Sequence, residues 1–180
     1  MRKRRFFGTL IFAVPVVVAA ATFAVAGDGG KSQFRADTLT GYQEVAGPGT
    51  ISTIGSGTFE ASLNGAGDEI SYTLTYGDLE GGTVTQAHIH FGARGFSGGV
   101  IAFLCGGPKP ACPPSGTVTG TIAAADILGP TVQGIEPGSF DEAVRAIRAG
   151  AVYANVHTTR WPAGEIRGQV NDANQRADPQ

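Results

Sequence analysis

The amino-acid sequence predicts an all-β fold, mainly antiparallel and of sandwich or barrel form with Greek-key or immunoglobulin-like connections, carrying one short helix. Three observations predict it. Charge is sparse, at 16% of residues, while 28 of the 180 residues are glycine, so the chain can turn often and keep apolar residues for a core between turns. Apolar and polar residues alternate over short runs, the period of a half-buried strand. A helical period occurs once.

Taken in order, Gln33–Leu39 reads as the first strand. Phe59, Ala61 and Leu63 then alternate with polar residues, Asn64-Gly65-Ala66-Gly67-Asp68 supplies a turn, and Ile70, Tyr72, Leu74 and Tyr76 alternate again, which predicts a hairpin. Further strands are predicted around Thr83–Phe91, Val100–Leu104, Gly116–Ala123, Ala151–His157 and Glu165–Val170. The one helix starts at Ser139-Phe140-Asp141-Glu142, which has the pattern of a capping box. Phe140, Val144 and Ile147 share a face, Gly150 ends the helix, and it is expected to pack on a sheet edge.

The N-terminus opens Met-Arg-Lys-Arg-Arg, continues without charge from Phe6 to Ala26, and offers the small-x-small pattern Ala24-Val25-Ala26. This predicts a signal peptide over 1–26, followed by a polar linker over 27–32, one domain over 33–170 and a polar tail over 171–180. The protein is thus expected to be secreted or extracytoplasmic, and tethered by its N-terminus if the apolar run is left uncleaved. No Cys near Ala26 is present to carry a lipid. The signal takes with it four of the thirteen basic residues, leaving nine against fifteen acidic ones. Phosphate-neutralising clusters of Lys and Arg are missing, so nucleic acid is excluded as an expected partner, as is any membrane beyond the signal segment. Cys105 and Cys112, in Cys-Gly-Gly-Pro-Lys-Pro-Ala-Cys, are expected to form a disulfide in an oxidising compartment.

All three histidines lie in two blocks, Ala87-His88-Ile89-His90-Phe91-Gly92 and Ala154-Asn155-Val156-His157-Thr158. Residues two apart on a strand point the same way. With Ala87, Ile89 and Phe91 toward the core, His88 and His90 project together from the opposite face, and Tyr153, Asn155 and His157 do so on the second strand. Three imidazoles brought together this way suit copper or zinc. The alternative is that the histidines hydrogen-bond loop carbonyls and hold the Gly92–Gly99 loop. Glu165 is a weak fourth ligand candidate, with an ion pair to Arg167 or Arg160 as the preferred alternative. Trp161, beside Arg160, is either an interface anchor or a cover for the core. Gly95-Phe96-Ser97-Gly98-Gly99 has the letters of a nucleophile elbow, with Asp126 or Asp141 and then His157 in hydrolase order. A serine hydrolase is nonetheless disfavoured, because Val100–Leu104 following the serine reads as a strand where an elbow needs a helix.

Four blocks, Leu39-Thr40-Gly41-Tyr42-Gln43-Glu44-Val45, Ala87–Gly92, Tyr153–Thr158 and Pro162-Ala163-Gly164-Glu165-Ile166-Arg167-Gly168-Gln169, together resemble the CHRD domain, the module named from chordin, over about Gln33 to Val170. The resemblance implies an extracellular β-sandwich module and supplies no catalytic residues. Chordin antagonises bone morphogenetic proteins with repeated copies, whereas this chain has one, so a growth-factor partner does not follow. The His-x-His strand is also similar to the copper-binding strand of Cu/Zn superoxide dismutases. Three histidines cannot fill both metal sets of such an enzyme, which leaves at most a single copper site. The expected function is a non-catalytic binding or structural module that contacts an extracellular protein or a cell-envelope component. The alternative is a copper- or zinc-binding domain built on His88, His90 and His157.

Overall fold

A computed structural model describes residues 32–172. The signal segment, the linker up to residue 31 and residues 173–180 of the tail lie outside the described residues. Eight strands form one sheet: β1 (Gln33–Thr40), β2 (Ser56–Leu63), β3 (Glu69–Gly77), β4 (Val84–Phe91), β5 (Gly99–Cys105), β6 (Gly116–Ala123), β7 (Val152–Thr158) and β8 (Ile166–Asp172). Their order is β5-β4-β7-β8-β1-β2-β3-β6, with every neighbouring pair antiparallel. The sheet curls into a nearly closed barrel, so the all-β expectation takes its barrel form.

Alternation builds the core as the sequence indicates. Phe59, Ala61 and Leu63 of β2 and Ile70, Tyr72, Leu74 and Tyr76 of β3 are all buried, joined by a turn in which Asn64 Oδ1 accepts from the backbone N–H groups of Gly67 and Asp68 at 2.8 and 3.1 Å. β1 departs from strict alternation. Phe34, Ala36 and Leu39 are its buried residues, and the register with β2 slips between Ala36 and Leu39, so a bulge absorbs the odd spacing. β8 extends through Asn171 and Asp172, which pair with Arg35 and Phe34, two residues beyond the strand read from the sequence.

The barrel's seam lies between β5 and β6. Tyr72 Oη crosses it to donate to the Leu104 carbonyl at 2.6 Å, and Tyr76 Oη donates to the Pro113 carbonyl at 2.7 Å. Gly120 stands opposite Tyr72, and a Cβ there would lie 2.5 Å from the Tyr72 hydroxyl, so the glycine leaves the ring its path to the far strand. Cys105 and Cys112 form the expected disulfide, with Cα atoms 5.1 Å apart. The loop it closes is pinned by Lys109, whose Nζ donates to the Thr121 carbonyl at 2.9 Å and pairs with Asp126 at 2.7 Å.

Helix α1 (Phe140–Arg148) differs from expectation in two respects. Ser139 makes no side-chain cap bond, so the capping-box pattern is present only in letters, and Glu142 pairs with Arg145 at 3.4 Å. The helix also sends Phe140, Ala143, Val144, Ala146 and Ile147 into the main core and packs against β8, a central strand, rather than a sheet edge. Its C-terminus follows the rule. Gly150, at φ 68°, donates its N–H to Ile147 O, and Ala151 N–H reaches Ala146 O. Among the described residues no helix is long and apolar enough to cross a membrane.

Candidate metal centre

β4 and β7 lie side by side, and their register places His88 opposite Asn155, His90 opposite Tyr153 and His157 opposite Gln86. His157 is therefore the diagonal neighbour of His88, while His90 is two residues along the same strand. Both relationships bring long side chains within reach on one face. Ring centroids are 4.8 Å apart for His88 and His157, 5.2 Å for His88 and His90, and 5.9 Å for His90 and His157. One nitrogen from each ring can be chosen so that all three lie within 4.8 Å of one another.

The histidines project from the face opposite the apolar core, as the strand period requires, but that face is not solvent. His88, His90 and His157 are only 3%, 8% and 5% exposed. A second buried layer, polar where the barrel interior is apolar, lies over β4, β7 and β8 and contains Glu44, Asn155, Arg167 and Gln169. Loops seal it. Gln169 Nε2 donates to the carbonyls of Gly92 and Gly150 at 3.0 and 2.8 Å, and Arg167 Nη2 donates to those of Ala93 and Phe96 at 3.2 and 2.9 Å.

Hydrogen bonds fix the protons on the rings. His157 Nδ1 lies 3.0 Å from the Pro162 carbonyl and His90 Nδ1 lies 3.0 Å from the Gly98 carbonyl. A carbonyl only accepts, so both Nδ1 atoms carry hydrogen, and in the neutral rings both Nε2 atoms carry lone pairs. His88 Nδ1, 3.1 Å from His157 Nε2, then donates to it, which leaves a lone pair on His88 Nε2. The rings are indeed held neutral: burial, reinforced by the neighbouring histidines, pushes His88 down to about 3. Burial pushes His90 down to about 4 against the opposing pull of the Gly98 carbonyl, and burial likewise lowers His157. His88 Nε2 and His90 Nε2 are buried with no hydrogen-bond partner. The loop-carbonyl bonds expected under the structural alternative are thus present on Nδ1 of His90 and His157, and a bond on one ring nitrogen is also what fixes the orientation of the other.

Aromatic rings border the cluster. Phe103 meets His88 edge to face with centroids 4.3 Å apart, and Tyr153 stacks on His90 at 4.8 Å with the planes 3° apart. Arg167 in turn lies 3.5 Å over the Tyr153 ring.

Residues 35–170 match the family model described as the CHRD domain. The chain belongs to the CHRD domain family. No curated protein and no solved structure matches it.

In this CHRD domain the four sequence blocks meet at the polar layer. Glu44 comes from the first block, accepts from Asn155 of the third, and is crossed by Gly164 of the fourth. Gly164 has φ 132°, and a Cβ there would lie 2.5 Å from Asn155 Nδ2 and 2.6 Å from Glu44 Oε1. Burial raises the Glu44 carboxyl to about 7, opposed by the charge of Arg167 and the bond from Asn155. Glu44, Asn155, Tyr153, Arg167 and Phe103 were not picked out as site residues from the sequence. The available signal was the polar face shared by Tyr153, Asn155 and His157, together with Arg167 and Gln169 on the next strand.

Glu165 requires a correction. It is fully buried, but its carboxylate stands outside the histidine cluster and pairs with neither Arg160 nor Arg167. It accepts instead from Thr53 Oγ1 at 2.9 Å and from the backbone N–H groups of Glu80 and Gly81 at 2.7 and 3.0 Å. Three donors satisfy a buried carboxylate without a cation. Arg160 lies 4.7 Å over the half-buried Trp161 ring. Ser97 sits exposed in the loop from β4 to β5, so a strand follows it where an elbow has a helix, and Asp126 is engaged by Lys109.

Proposed function

We propose that this protein is an exported CHRD module that binds one transition-metal ion, copper or zinc, through His88, His90 and His157, and does so without catalysing a reaction. The observation that carries the reading is the pair of unpartnered buried ring nitrogens, His88 Nε2 and His90 Nε2, on two of the three clustered imidazoles. An unpaired buried acceptor costs about 1–3 kcal/mol, so two on neighbouring rings are an expensive feature for a purely structural cluster. A metal accepting their lone pairs would remove that cost. With an ion bound, His90 and His157 would present Nε2, and the proton between His88 and His157 would leave that contact. Export is supported by the basic, then apolar, N-terminus and by the disulfide. Binding rather than catalysis is supported by the cover of loops and aromatic rings over the donors.

The test is metal content by mass spectrometry on untagged protein exposed to excess Cu(II) or Zn(II) and then desalted. One ion per chain is expected, and none in the His88→Ala/His90→Ala/His157→Ala variant. Equal metal in both proteins would sink the assignment.

A second reading, a module that docks an extracellular protein or a cell-envelope component, is favoured by the exposed large apolar side chains of Tyr42, Ile54 and Phe96. Its test is capture of an envelope component by wild-type protein that is lost on changing those three residues together to Ser.

A further inference from the structure

Resting on the metal-binding reading above, we infer that the ion this centre selects is monovalent copper, Cu(I), in preference to the divalent ions Zn(II) and Cu(II). Charge is the first argument. The donor set is three neutral imidazoles, and among the described residues no Asp, Glu or Cys joins the cluster. A dication held by neutral donors keeps both its charges in a site whose ligands are at most 8% exposed. The cost of burying an ion grows with the square of its charge, so a monovalent ion incurs about a quarter of the penalty.

Surrounding charges point the same way. The cation nearest to hand, Arg167, stacks on Tyr153, which itself stacks on His90, and it opposes added positive charge. The carboxyl of the layer, Glu44, is bonded to Asn155 and lies in the field of Arg167. The groups that hold Nδ1 of His90 and His157 are carbonyls, where a carboxylate would have lent negative charge to the ligand.

Coordination number is the second argument. Zn(II) takes four ligands, the last of them from the protein or from water. Here the rings of Phe103 and Tyr153 lie against His88 and His90, and the two buried carboxyls are engaged elsewhere, Glu44 with Asn155 and Glu165 with Thr53, Glu80 and Gly81. Cu(I), a filled-shell ion content with three nitrogen donors, asks for no fourth.

The test uses purified untagged protein. Without oxygen, Cu(I) is titrated against bicinchoninate and Zn(II) against a chromophoric chelator, and the copper couple of the loaded protein is measured by redox titration. One Cu(I) per chain is expected, bound at least about 100-fold more tightly than Zn(II). The Cu(II)/Cu(I) potential should stand at least about 59 mV above that of aqueous copper, the equivalent of a tenfold preference for Cu(I). Zn(II) bound as tightly as Cu(I), or a potential below that of the aqueous ion, would overturn the inference and leave the metal centre standing. Failure of the wild type to bind either ion, or Cu(I) retained by the triple alanine variant, would instead overturn the metal centre itself.

Discussion

His88 Nδ1 lies 3.1 Å from His157 Nε2 across the boundary of two adjacent strands, with both rings buried. Two neutral imidazoles so placed share one proton, and a metal ion competes with that proton for the lone pair it satisfies. His88→Ala and His157→Ala are each expected to abolish metal uptake while far-UV circular dichroism stays that of the wild type. In the wild type, the selected metal at about 100 times its Kd should add about 2.7 kcal/mol, raising Tm by about 5–10 °C. A variant that still takes up one equivalent of metal contradicts the assignment.

The metal-free protein should lose stability in acid. His88 and His90 sit at about 3 and about 4 in the fold against an ordinary 6.5, so between those values the unfolded chain binds protons that the native state refuses. Their contribution is complete above pH 6.5 and is lost as pH falls toward 4. Glu44 acts oppositely: raised from 4.5 to about 7, it stabilises the fold below 4.5 and loses that contribution as pH climbs to 7. Urea midpoints taken from pH 7.5 to 4.5 should fall, and fall more steeply in Glu44→Gln, which lacks the compensating carboxyl. A flat profile in both proteins would contradict the buried neutral rings.

Gly164→Ala places a methyl group against Asn155 and Glu44 at a backbone angle that L residues rarely adopt. A loss of about 2 kcal/mol or more is expected in urea denaturation, against a gain of a few tenths for a glycine replaced at an unstrained site. An unchanged midpoint would mean that the loop holding Asn155 and Glu44 gives way easily.

Reduction of Cys105–Cys112 releases a short loop, and its closure should be worth about 2 kcal/mol through the unfolded chain. Gly107 packs against the Phe103 ring, with a Cβ there 2.5 Å from Cε1, so the same loop leans on the residue that borders His88. Cys105→Ser/Cys112→Ser should therefore lower Tm in the metal-free protein, checked by calorimetry. A Tm equal to that of the oxidised wild type would show the loop to be held without the disulfide, by Lys109 and the loop's own backbone bonds.

Strand identity was legible because the polar–apolar period survives in β2, β3, β4 and β7, and the common face of His88, His90, Asn155 and His157 follows from that period alone. That this face is buried was not legible. It depends on carbonyls of Gly98 and Pro162 and on anchors such as Arg167 and Gln169, which draw loops over the strands. Glu165 shows the same limit: proximity in sequence suggested an arginine, whereas its donors come from Thr53, Glu80 and Gly81, between 84 and 112 residues away. The helix cap failed for a local reason, since Ser139 leaves its side chain out of the cap while Glu142 turns to Arg145.

The polar layer also sorts the surface into places that accept foreign sequence and places that refuse it. Extra residues in the segments 92–98 or 159–164 would drag the carbonyls that hold His90 and His157 out of register, whereas the Gly65-Ala66 tip is exposed at the end of its own hairpin. An epitope or fluorophore carried there would ride on the barrel without entering its chemistry.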